Sequence, residues 1–169
     1  MVQNIYFHSI ICLLMKRSLS MSQPNKRSSF RLHLQIPLTA LFKIIGIKNK
    51  AADTKHSKIM IRDISAGGIR MHTPLNLPTE MSLLLEFTFH LFHQEMKILG
   101  IIKRKTMLKP SLYEYGIEFS IADKAIEQQL TSHLIMLGSR LRHTNVLASC
   151  SFCSDEDMND IYAMTYDLT

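Results

Sequence analysis

The chain has 169 residues, 46% hydrophobic and 20% charged. That suits one domain with extensions and excludes the low-hydrophobicity composition of a disordered chain. Twenty Lys and Arg against fourteen Asp and Glu leave a net charge of +6, which favours anionic partners.

Residues 1–24 read as an N-terminal extension expected to be disordered. Ile10 to Met15 is apolar but far short of the ~20 residues that span a bilayer. Lys16 and Arg17 follow this run instead of preceding it, and no small-residue cleavage site comes after, so a secretory signal is not expected. Met21-Ser22-Gln23-Pro24 has the form of a chain start, and the residues before it are expected to be a frayed extension or a misplaced start.

From Phe30 the pattern alternates. Phe30, Leu32, Leu34, Ile36 and Leu38 fall on one face, with Arg31, His33, Gln35, Pro37 and Thr39 on the other, the period of a half-buried strand. Pro37 cannot donate to a ladder and marks an edge or bend where a lead-in becomes the first strand. Apolar material continues from Leu41 to Ile47, and a polar turn covers Lys48 to Asp53. Further strands are expected over Ser57–Ile64, Ile69–Thr73, Met81–Leu91, Glu95–Lys105 and Tyr113–Phe119, with Gly67-Gly68 breaking the first from the second. Then the period lengthens: Ile126, Leu130, Leu134, Leu137 and Leu141 form one helical stripe, with Asp123 as N-cap and Glu127 in the first turn. Six or so antiparallel strands followed by one amphipathic helix predict a mainly β small barrel with the helix packed across it.

The charge is uneven. Five of the fourteen acids lie beyond Arg142 and no Lys or Arg does, so the body carries +11 and the tail −5. The acidic tail, residues 146–169, is expected to be disordered, to dock elsewhere, or to fold back on basic surface. Its C-x-x-C pair, Cys150 and Cys153, lacks the second ligand pair of a common zinc site, and three cysteines make no disulfide framework. Reduced thiols in a reducing cytoplasm are the expectation.

Two strings carry the chemistry. Arg27-Ser28-Ser29-Phe30-Arg31 reads R-x-x-x-R on what is expected to be a flexible lead-in, and Asp63-Ile64-Ser65-Ala66-Gly67-Gly68 reads D-x-S-x-x-G at a strand end. Guanidinium forks match phosphate oxygens and the guanine O6/N7 edge, and they stack on bases. A carboxylate accepts from guanine N1–H and the exocyclic amine. A hydroxyl adds a short polar contact, and glycine lets a bulky ring approach the backbone. Each string alone is weak; in this order around one hairpin they resemble the signature of the PilZ family of small bacterial β-barrels. Leu99-Gly100-Ile101-Ile102 and Tyr115-Gly116-Ile117-Glu118-Phe119 resemble two further strands of that family.

The resemblance covers about Lys26 to Arg142 and implies a six-stranded, split-barrel domain over 25–145. It implies cyclic di-GMP as ligand, held by Arg27, Arg31, Asp63, Ser65 and Gly68. The function it implies is a cytoplasmic receptor, not an enzyme, that changes conformation on binding and relays the signal to a protein partner in motility, biofilm or polysaccharide control. No catalytic residue, metal or cofactor is assigned. His90 and His93 read as an exposed turn pair, and Arg104 as a solvated base in a Lys103-Arg104-Lys105 run. Two other readings stay open: an adaptor of the same fold without ligand, and a basic barrel binding single-stranded nucleic acid. The latter is disfavoured because Phe87, Phe89, Tyr113, Tyr115 and Phe119 fall on expected inner faces.

Overall fold

The alternation that starts at Phe30 produces one long strand. The computed structural model describes residues 30–163, so Arg27 and the N-terminal extension lie outside the described residues. The strands are β1 (Arg31–Ile47), β2 (Lys50–Ala51), β3 (Ser57–Ser65), β4 (Gly68–Thr73), β5 (Leu83–Leu91), β6 (Gln94–Lys109) and β7 (Leu112–Phe119). Two helices follow, α1 (Lys124–Arg140) and α2 (Asp155–Ala163).

All pairings are antiparallel, in the order β2-β1-β3-β4-β7-β6-β5, and β1 also pairs with β5. The 17 residues of β1 achieve this closure by serving two neighbours. Arg31 to Phe42 pairs with β3, while Leu41 to Ile47 pairs with β5, closing six strands into a ring. The first half carries a large bulge. His33 faces Asp63 but Leu38 faces Ile61, so five steps on β1 span two on β3. Pro37 sits in this bulge, where its missing N–H disturbs no ladder.

Inward-facing Ile59, Ile61, Met71, Leu85, Phe87, Phe89 and Tyr115 are essentially inaccessible. The Tyr115 hydroxyl accepts the Leu77 N–H at 2.7 Å and donates to the Leu75 carbonyl, so the loop between β4 and β5 is pinned to the core. The expected α1 stripe is present: Leu130, Leu134 and Leu137 are buried in the main core, with Ile126 and Leu141 packed against it. The Asp123 carboxylate caps the helix by accepting the Ala125 N–H at 2.8 Å.

From Arg142 as far as the described residues run, the chain takes the last of its expected courses and folds back on the barrel. Ser149–Cys153 inserts between β1 and β5 where the ring would otherwise gape. The Thr39 N–H donates to the Ser151 carbonyl, and the Ser151 N–H donates to the His90 carbonyl. Phe152 bridges to Leu38. The same segment steadies the β5–β6 turn, whose Phe92 and His93 both have positive φ (54° and 62°), a conformation costly for side chains of this size. The His93 N–H donates to the Ser149 carbonyl at 2.7 Å. Helix α2, absent from the sequence reading, then lies on the outer sheet face, where its Ile161 forms a small separate cluster with Met60, Leu112 and Cys153. Its Asp157 meets Lys58 at 2.6 Å. Both cysteines described, Cys150 and Cys153, are free and buried. Among the described residues no helix is long and apolar enough to cross a membrane, and no group of His, Cys, Asp and Glu is arranged to hold a metal ion.

Candidate functional site

The β3–β4 hairpin turns through Ala66 and Gly67, which places Ser65 opposite Gly68 and Asp63 opposite Arg70. Carried across the sheet, these pairings generate neighbouring rows on the outer face. One runs Arg31, Ser65, Gly68, Glu118. The next runs His33, Asp63, Arg70, Gly116, Arg104. Three of the five strands crossing this second row change register at it: β1 beyond His33, β3 between Ile61 and Asp63, and β6 between Ile102 and Arg104. An extra residue re-aims the side chains that follow. In β6 the extra residue is Lys103, and it brings Arg104 opposite Gly116.

Gly68 is required by packing. A Cβ there would sit 2.0 Å from the Ile117 carbonyl oxygen, so only glycine lets β4 lie this close to β7. Gly116 has another role. Its missing side chain leaves the floor open between Arg70 and Arg104, and a groove of about 370 Å³ forms there, lined also by Arg31, Gly67, Lys103 and Glu118.

Two of the groove's arginines, Arg70 and Arg104, are held by carboxylates that stand outside its lining, Asp63 and Glu114. Asp63 is 6% exposed. It accepts the His33 Nδ1–H at 2.7 Å and the Arg70 Nε–H. Burial alone would push its pKa up; the hydrogen bonds from His33 and Arg70, and the Arg70 charge, outweigh that and hold it below the usual carboxylate value. Glu114 lies one outer-face row further along, opposite His72. It accepts from Arg70 Nη1 and Arg104 Nη2, each at 3.2 Å, and from His72 Nε2 at 3.1 Å. Lys103 pairs with Glu118 at 3.0 Å. Arg31 is exposed and forms no ion pair among the described residues.

Of the five residues expected from the two strings, Arg31, Asp63, Ser65 and Gly68 come together at one corner, and Arg27 lies outside the described residues. Two expectations change in detail. Arg31 belongs to β1 instead of a lead-in, because the alternation that builds the strand already includes it. The Ser65 hydroxyl donates to the Gly68 carbonyl at 3.1 Å and is buried, so its hydrogen is engaged within the hairpin and only its oxygen remains as an acceptor. Arg104, read as a solvated base, stands in the second row, ion-paired to Glu114. Sequence reasoning missed Arg70, Glu114, Gly116 and His33. Arg70 was within reach: a two-residue turn at Ala66-Gly67 sets 63 opposite 70 by counting alone. Arg104 was not, because its place depends on a bulge that no local signal marks.

The arrangement suits an anion with hydrogen-bond donors. Guanidinium groups converge over a floor without side chains, and a carboxylate stands at one edge. Comparison with known proteins gives a consistent picture. The family model of the PilZ domain matches residues 25–135. No curated protein matches the chain by sequence. Among solved structures, the Bacillus subtilis inhibitor of motility MotI/DgrA aligns with a TM-score of 0.53 at 16% identity, over 75% of this chain and 57% of that one. The K. pneumonia MrkH–c-di-GMP complex gives 0.53 at 16% identity, over 71% and 55% of the two chains. The PilZ domain with c-di-GMP of YcgR from Escherichia coli gives 0.50 at 16%, over 72% of this chain and 100% of that one. The chain thus spans little more than half the length of the MotI and MrkH chains. At such identities the likeness is one of fold.

Proposed function

The chain belongs to the PilZ domain family, and on that premise we propose that it is a cyclic di-GMP receptor. The observation that carries the reading is the convergence of Arg31, Arg70 and Arg104 on a groove floored by Gly116, with Asp63 beside it as the cross-strand partner of Arg70. The phosphates take the arginines, and the guanine donor edge takes the Asp63 carboxylate. Ser65 and Gly68 shape the corner, and Arg27, four residues before Arg31, completes the clasp from outside it. Binding changes the protein's conformation, and the new surface is read by a protein partner in the cytoplasm. The protein acts as an effector in motility, biofilm or polysaccharide control and not as an enzyme. Structures of MrkH and the YcgR PilZ domain with c-di-GMP support this reading through the shared fold.

One observation favours a second reading, an adaptor of the same fold that binds no nucleotide. Asp63 is already engaged by His33 and Arg70, and Glu114 already holds Arg70 and Arg104. Calorimetric titration with cyclic di-GMP at physiological salt separates the two. The receptor reading expects saturable binding that Arg31→Ala reduces at least tenfold, since a charge-assisted hydrogen bond to phosphate contributes about 1.5–3 kcal/mol. Asp63→Ala weakens cyclic di-GMP more than it weakens a guanine-free phosphodiester. Unchanged affinity in Arg31→Ala counts against the assignment, and no binding by the native chain favours the adaptor.

A further inference from the structure

Helix α1 carries a glycine that the helix itself does not call for. Gly138 lies inside α1, which runs on to Arg140 and is capped by Leu141 in a right-handed conformation. It is therefore no C-cap, and within a helix glycine is the least favourable residue short of proline. What the missing side chain permits is a close approach. A Cβ at Gly138 would stand 3.3 Å from Phe30 Cζ and 3.5 Å from Leu32 Cδ1, so both side chains rest against bare helix backbone.

Phe30 and Leu32 are the two neighbours of Arg31. Side chains alternate along a strand. With both neighbours turned to α1, the Arg31 side chain is turned to the opposite face, where it lines the groove. The ladder holds Arg31 only at its end: its pairing with Ser65 is the terminal one between β1 and β3, and strand ends open at low free energy. No ion pair among the described residues fixes its guanidinium. Phe30 is 54% exposed and belongs to neither core cluster. Its contact with α1 therefore adds little to the barrel; what it fixes is the end of β1.

We propose that Phe30 and Gly138 form a seat that positions Arg31 for a ligand phosphate, resting on the receptor reading above. The ring touches the helix and not the ligand, so Phe30 is a positioning residue. Holding the first residue of β1 in place before the ligand arrives removes the entropy cost of ordering it on binding. Helix α1 thereby takes part in recognition although none of its residues lines the groove.

Calorimetric titration of the full chain with cyclic di-GMP tests this, with a thermal melt of each variant. Phe30→Ala is expected to weaken binding about five- to thirtyfold, the effect of leaving the backbone of about one residue to be ordered by the ligand. Its melting temperature is expected to change little, because the ring is exposed. Gly138→Leu fills the seat with a good helix former, and is expected to weaken binding to a similar degree without lowering the melting temperature. In an Arg31→Ala background, Phe30→Ala is expected to weaken the residual binding by less than about twofold, since no guanidinium remains to be placed. Where Gly138→Leu itself melts lower, the cycle with Arg31 decides alone. Native affinity in Phe30→Ala overturns the seat and leaves the receptor reading intact. An equal loss with and without Arg31 does the same, by placing the ring's effect on the ligand or the fold. No binding by the native chain overturns both.

Discussion

Gly116→Val separates the groove from the fold. A Cβ added at Gly116 meets the Arg104 Cβ at 3.5 Å and Nε at 3.8 Å, ordinary contact distances that require nothing to move. Replacing glycine in a strand interior relieves about 0.5–1 kcal/mol of backbone entropy cost, and a β-branched side chain suits the pleated surface. The variant is therefore expected to melt about 1–4 °C above the native protein, at the ~2–4 °C per kcal/mol of a domain this size. Its isopropyl group, however, stands in the groove of about 370 Å³ between Arg70 and Arg104. Losing one phosphate contact of about 1.5–3 kcal/mol weakens cyclic di-GMP about 10- to 150-fold. Thermal melting and calorimetric titration of the same preparation give both numbers. A folded Gly116→Val protein that binds as tightly as the native chain refutes the placement of the ligand in this groove.

Gly68→Ala is expected to act in the other direction, on the fold itself. The added carbon would lie 2.0 Å from the Ile117 carbonyl oxygen, so β4 and β7 must part at that end. Overpacking of this kind costs about 1–3 kcal/mol, a fall of roughly 2–12 °C in melting temperature; an unchanged melt would show that the strands are not so closely paired. His72 predicts a pH dependence. Its folded pKa is depressed below 6.5, chiefly by burial, so the unfolded chain binds this proton more readily. The contribution is complete above the unfolded value and is lost as pH falls through the folded one. Urea midpoints are expected to drop as pH falls below the ordinary histidine value of about 6.5, with a shallower decline in His72→Gln; an equally steep decline in that variant contradicts the assignment.

Much of this architecture follows from local pattern. The alternation in β1, β3, β5 and β7, the helical stripe of α1 and the Asp123 cap depend on side-chain period and on which groups lack partners, both properties of a short stretch of chain. Asp63, Ser65 and Gly68 were singled out by the resemblance of one short string, and one two-residue turn brings them together. What tertiary structure decided is everything that depends on register between distant strands. Bulges in β1, β3 and β6 bring His33, Asp63, Arg70, Gly116 and Arg104 into one row; Pro37 marks the first locally, whereas no neighbouring residue announces those in β3 and β6. The same holds for the C-terminal segment. Its acids leave disorder, docking and folding back all open until a gap between β1 and β5 supplies backbone partners for Ser151. A period is written in adjacent residues, whereas a register is settled only when remote strands meet.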